Sequence, residues 1–120
     1  MADRLQFMEL REANVHRCEA LDGFNHKLDG WSPAEWSNAM AGEAGELCNL
    51  TKKLLRGDAP TRRALADELA DVVIYADLCA ARLDIDLGAA VRAKFNLKSA
   101  EIGSSDALKP AERGEEKTHG

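Results

Sequence analysis

Two acidic pairs, Glu43 with Glu46 and Glu68 with Asp71, have the residue types and the spacing to do chemistry. Members of a pair stand three residues apart, so on a helix both carboxylates project from one side, about a turn from each other. The first pair lies in "MAGEAGEL", residues 40–47, and the second in "DELADVVIY", residues 67–75. Around the first, Trp36, Met40, Leu47, Leu50 and Leu54 recur at helical spacing, and Glu43 falls in the gap of that apolar seam. A carboxylate in a seam position is expensive unless something compensates it. An all-oxygen ligand set with no His or Cys beside it in sequence suits a hard cation, Mg²⁺ or Mn²⁺ in its place.

The elements that must position these acids are legible from their ends. "SPAE" offers Ser32 as an N-cap, Pro33 at the first helical position and Glu35 to complete a capping box. A helix from there is expected to run to Leu55 or Arg56, with Gly57 taking the left-handed conformation that stops it. "GDAP" makes a short link, Asp58 or Thr61 can cap, and a following helix carries Leu65, Leu69, Val72, Ala76, Cys79 and Leu83. So short a link forces the two helices to be antiparallel neighbours. Each acidic pair then lies roughly 11 to 14 residues from the centre of the link, and a rise of ~1.5 Å per residue brings all four carboxylates to one height. Four ionised carboxylates within ~5 Å of one another repel by about 3 kcal/mol per pair at an effective dielectric near 20, so the geometry itself asks for a cation.

The rest of the chain reads as helix as well. A first helix is expected over about Ala2 to Leu21, with Leu5, Met8, Val15 and Cys18 as a loosely amphipathic face, and "DGFNHKLDGW" after it is loop chemistry. A last helix is expected over about Asp86 to Lys98, carrying Leu87, Val91 and Phe95. The fold class is therefore all-α: a single helical domain over residues 1–99, followed from about 100 to 120 by a tail rich in Gly, Ser, Pro and charge, expected to be disordered or loosely docked. With 120 residues, 45% apolar, the chain suits one core of ordinary size. A net charge of −5 with mixed signs excludes a non-specific grip on nucleic acid or an anionic membrane surface. Cys18, Cys48 and Cys79 form no CxxC pair and are expected to be reduced, buried thiols. No stretch reads as a signal peptide or a membrane span, and the chain is expected in the cytoplasm.

"GEAGEL" followed at this distance by "DELADVVIY" resembles the ExxE…ExxD signature of the all-α, MazG-like nucleoside triphosphate pyrophosphohydrolases, which include the dCTP pyrophosphatases. The resemblance covers about Trp31 to Ser99. It implies a four-helix-type bundle assembled as a homodimer or homotetramer, and hydrolysis of a nucleoside or deoxynucleoside triphosphate to the monophosphate and pyrophosphate, as nucleotide-pool house-cleaning. It further implies Mg²⁺ held by Glu43, Glu46, Glu68 and Asp71, and Glu46, at the margin of the stripe, is the candidate general base. "RAKFNLKS" resembles the family's basic carboxy-terminal edge, which makes Lys94, Asn96 and Lys98 candidate phosphate contacts. Trp31, on the loop entering the second helix, and Tyr75, one turn after Asp71, are the candidate nucleobase contacts, whereas Trp36 reads as core.

Asn14, Asn38 and His26 are polar and roughly in reach of the base, but residues of these types more often lie on loops or surfaces. Lys52, Lys53 and Arg56 in "KKLLRG" read as solvent-facing. Gly42 stands where many members of the family carry a further acid, and the base-side residues do not match the dCTP enzymes closely. Two rival readings share the same helices: a phosphoribosyl-ATP pyrophosphohydrolase, and a helical module without catalysis that dimerises partners through its apolar seam.

Overall fold

A computed structural model of the chain describes residues 3–110. Those residues form four α-helices and a 3-10 turn, with no strand among them: α1 (Phe7–Glu19), the turn Leu28–Gly30, α2 (Pro33–Leu55), α3 (Arg62–Arg82) and α4 (Leu87–Ile102). No helix among them is long and apolar enough to cross a membrane. The chain divides into two compact units, Met1–Ile85 and Asp86–Gly120.

In the first unit α2 and α3 pack against each other on either side of the link at residues 56–61, and α1 packs on α3. The ends of the hairpin follow from local chemistry. Ser32 accepts from the Glu35 N–H at 3.2 Å and its hydroxyl lies 3.4 Å from the Glu35 carboxylate, so the capping box closes through the side chains. Gly57 takes φ 92°, which only glycine adopts without strain, and ends α2 as expected. Thr61 caps α3 by accepting from the Ala64 N–H at 3.0 Å.

Helix α1 departs from the sequence reading at both ends and in its buried face. Its first turn is lost because the Leu5 N–H donates to the Asp3 carboxylate at 3.1 Å, a local turn that competes with helix. Leu5 and Met8 are exposed, and the buried residues are Asn14 and Cys18. Arg11, Asn14 and Cys18 stand at i, i+3 and i+7, one face of the helix, and that face meets α3 through polar bonds. Arg11 Nε donates to Asp77 at 3.0 Å, Asn14 donates to the other Asp77 oxygen at 3.1 Å and to the Ile74 carbonyl at 2.9 Å, and Arg11 also reaches the Ile85 carbonyl at 2.8 Å. Asp77 is 1% exposed, while Leu69 and Leu83 of the expected apolar stripe are exposed. A satisfied polar network has replaced the apolar contact that periodicity predicts. Of the three cysteines expected to be buried, Cys18 is buried, Cys79 half-buried and Cys48 exposed.

In the second unit Asp86 caps α4 by accepting from the Ala89 N–H at 3.0 Å. The helix runs four residues past its expected end at Lys98, to Ile102, and stops where Gly103 takes φ 75°. Residues 104–110 then turn back along it. Asn96 holds the backbone of Leu108 from both sides, donating to its carbonyl at 3.0 Å and accepting from its N–H at 2.7 Å, and Arg92 donates to the Lys109 carbonyl at 2.8 Å. The expected tail is thus helical to Ile102 and fastened to α4 as far as Lys109, and its remainder, 111–120, lies outside the described residues.

Candidate metal centre and cavity

The hairpin brings the four acids together. One carboxylate oxygen each from Glu43, Glu68 and Asp71 lies within 4.8 Å of the other two. All three side chains are half-buried, and Glu68 Oε2 is shut away from solvent without a hydrogen-bond partner. Glu46 is exposed at the margin of the group. Desolvation, then the charges of Glu46 and Asp71, push the Glu43 carboxyl above its ordinary range. Desolvation, the Glu46 carboxyl beside it and the charges of Asp71 and Glu43 do the same to Glu68. None of the four acids has a Lys or Arg within ion-pair distance among the described residues. Three carboxylates converge with a fourth at their margin, burial and mutual charge push two of them above their ordinary range, and one oxygen is orphaned: the donor set fits a hard divalent cation.

Glu43 and Asp71 open onto a cavity of about 400 Å³ in the first unit, walled by aromatic and aliphatic side chains. Trp31, Trp36 and His26 meet edge to face, with ring centres 4.7 Å apart for His26–Trp31 and for Trp31–Trp36. Their placement is fixed by backbone bonds: Trp36 Nε1 donates to the Leu28 carbonyl at 2.8 Å, and Arg82 Nε donates to the Trp31 carbonyl at 2.8 Å. Tyr75 closes the side nearer the acids, and its phenol is pushed up by burial and by the charges of Glu43 and Asp71. Trp36, 2% exposed, is core as expected and is also cavity wall.

Trp31 and Tyr75 therefore share one cavity with Glu43 and Asp71. Lys94, Asn96 and Lys98 belong to the second unit, on α4; Lys98 lies 3.9 Å from Glu101, and the Asn96 amide is spent on Leu108. The sequence reading left Asn14 and His26 as loop or surface residues and did not single out Arg17 or Phe24. All four line the cavity, and His26 Nε2 is buried without a partner. The signal available was the spacing of Asn14, Arg17 and Cys18 on one turn, followed by a loop short enough to fold back on it.

That fold-back turns on Gly23. Phe24 N–H donates to the Arg17 carbonyl at 2.9 Å and His26 N–H to the Cys18 carbonyl at 2.8 Å, while Cys18 Sγ donates to the His26 carbonyl at 3.1 Å. A Cβ at Gly23 would stand 2.0 Å from the Arg17 carbonyl oxygen, a backbone atom that cannot swing aside. Gly23→Ala should accordingly destabilise the fold by ~1–3 kcal/mol, which lowers the melting temperature by several degrees. A thermal melt of the variant checks this, and an unchanged melt would mean that the turn is soft. In comparison with known proteins, the chain matches no family model, no curated protein and no solved structure.

Proposed function

We propose that the chain is a Mg²⁺-dependent nucleoside triphosphate pyrophosphohydrolase of the MazG-like kind, acting on a nucleoside or deoxynucleoside triphosphate as a homo-oligomer. The observation that carries the reading is the triad of Glu43, Glu68 and Asp71, of which Glu43 and Asp71 line an aromatic cavity and Glu68 keeps an orphaned oxygen beside them. A cation-demanding end joined to flat, stackable walls matches a ligand that is a polyphosphate at one end and a planar base at the other. The resemblance of the two acidic motifs to that family supports the same reading from the sequence.

Glu43, Glu68 and Asp71 would hold the cation. When bound, it supplies neutralisation of the triphosphate charge and a lowered pKa for a coordinated water. Glu46, beside the triad and open to solvent, would accept the proton of an attacking water. Trp31 and Tyr75 orient the nucleoside, so that the phosphate chain reaches the acids in a fixed pose.

The test is incubation of the protein with a panel of nucleoside and deoxynucleoside triphosphates and with phosphoribosyl-ATP, following release of pyrophosphate. Hydrolysis of one or more triphosphates is expected with Mg²⁺ or Mn²⁺, none in EDTA, and little with Ca²⁺, whose larger and looser shell misplaces the phosphates. Full turnover in EDTA, or no turnover of any triphosphate with Mg²⁺, would overturn the proposal.

A further inference from the structure

The charge of the cavity is one-sided. Glu43 and Asp71 line it, with Glu46 and Glu68 close by, and a triphosphate would add about four more negative charges at neutral pH. Against these, the lining residues offer one permanent cation, Arg17 on α1. That cation is spent on no acid: Arg17 makes no ion pair among the described residues and is exposed. Among the described residues its guanidinium rests on the ring of Phe24, whose centre lies 5.6 Å from the guanidinium carbon.

The chain is built to keep it so. The fold-back at Gly23 places Phe24 against Arg17, and the bonds from Phe24 and His26 to the carbonyls of Arg17 and Cys18 lock that arrangement. An aromatic partner orients a guanidinium without consuming its N–H groups as a carboxylate would, so the fork of donors remains available for a bidentate contact. Arg17 also lowers the tendency of Tyr75 to stay protonated, against the opposite push of Glu43 and Asp71. Its charge and theirs are therefore felt at the same point of the cavity.

Building on the function proposed above, we infer that Arg17 grips the polyphosphate of the bound nucleotide, opposite the carboxylate cluster and from within the same unit. Phe24 is its positioning residue. The geometry of the contact is that of a planar fork on phosphate oxygens, which a lysine at the same place would replace by a single point charge.

The experiment is calorimetric binding by the full chain in Mg²⁺ of two probes: the α,β-imido analogue of the best triphosphate substrate, which cannot be cleaved, and inorganic triphosphate. Arg17→Gln should weaken both by roughly tenfold or more, the loss of a charge-assisted contact, with Arg17→Lys falling between. Melts of both variants establish that they fold, and if Arg17→Gln does not, Arg17→Lys carries the comparison. A loss smaller than tenfold for Arg17→Gln overturns the inference. So does a loss confined to the nucleotide analogue, which would mean that Arg17 reads the nucleoside, and so does a wild type that binds the analogue but not inorganic triphosphate. Should the wild type bind no nucleotide at all, the proposed function fails first and this assignment with it.

Discussion

Glu43→Leu should melt higher than the wild type in EDTA and hydrolyse nothing. The carboxylate stands half-buried among three other acids with no cation in ion-pair reach among the described residues, and desolvation already pushes it toward its neutral form. Removing it relieves that repulsion, and a leucine at a half-buried site gains about half of the ~1.5–3 kcal/mol that full burial would bring. Activity should fall below about a hundredth of wild type, because one of three converging ligands is gone and metal affinity falls with it. The stabilisation by Mg²⁺ should shrink in step.

The pH dependence of the metal-free protein gives the same prediction a second reading. Folded-state values of Glu43 and Glu68 lie above the ordinary carboxylate value of about 4.3. Between that value and the raised ones the folded chain therefore binds more protons than the unfolded chain, and stability falls as pH rises through the window. Wild type in EDTA should melt lower at pH 7 than at pH 5 as far as these two groups decide it, with a shallower slope in Glu43→Leu. If Glu43→Leu melts lower without metal and still releases pyrophosphate at a normal rate, the metal centre has been misplaced.

Asp77→Ala should be the most damaging substitution in the first unit. Asp77 is 1% exposed and joins α3 to α1 by accepting from Arg11 and Asn14 at once. Truncation strands the Arg11 charge, only 21% exposed in its side chain, and leaves an Asn14 donor short of one acceptor. Breaking a buried pair in this way costs ~3–5 kcal/mol, a large part of the ~5–15 kcal/mol that holds a domain of ordinary stability. A denaturation midpoint measured on Asp77→Ala checks the size of the effect. The companion Arg11→Leu with Asp77→Leu separates stranded charge from lost packing: it should recover part of the loss, since no unpaired charge remains. A midpoint for Asp77→Ala within the ~0.5 kcal/mol typical of surface changes would show that α1 is held by something else.

What the sequence made legible was local. Ser32 with Glu35 and Thr61 cap from side chains to N–H groups three residues on, and Gly57 stops α2 by its own conformation, so the spans of α2 and α3 follow from short stretches, whereas the stop at Gly103 stood inside a stretch that composition marks as tail. The convergence of the acids was legible too, because two helices and a short link fix relative height by arithmetic. The face of α1 was not. Nothing in the sequence marks Arg11, and Asn14 reads by type as a loop or surface residue; the contact with Asp77, more than sixty residues away, is what draws both inward. Nor did the types of Arg17, Phe24 and His26 reveal that one turn at Gly23 would lay all three on a cavity. Periodicity counts apolar residues, and here the decisive contacts are polar and distant.

The division of labour between the α2–α3 hairpin and α1 bears on how such a molecule can change. Both acid pairs ride on the hairpin, whereas Arg17, Phe24 and His26 come from α1 and the fold-back after it, fastened to α3 by Asp77. Variation in residues 21–30 can therefore reshape what the cavity admits without moving a single carboxylate, provided that Gly23 stays. Part of the cavity wall is thus heritable separately from the acids, while Tyr75 and Trp36 travel with them on the hairpin.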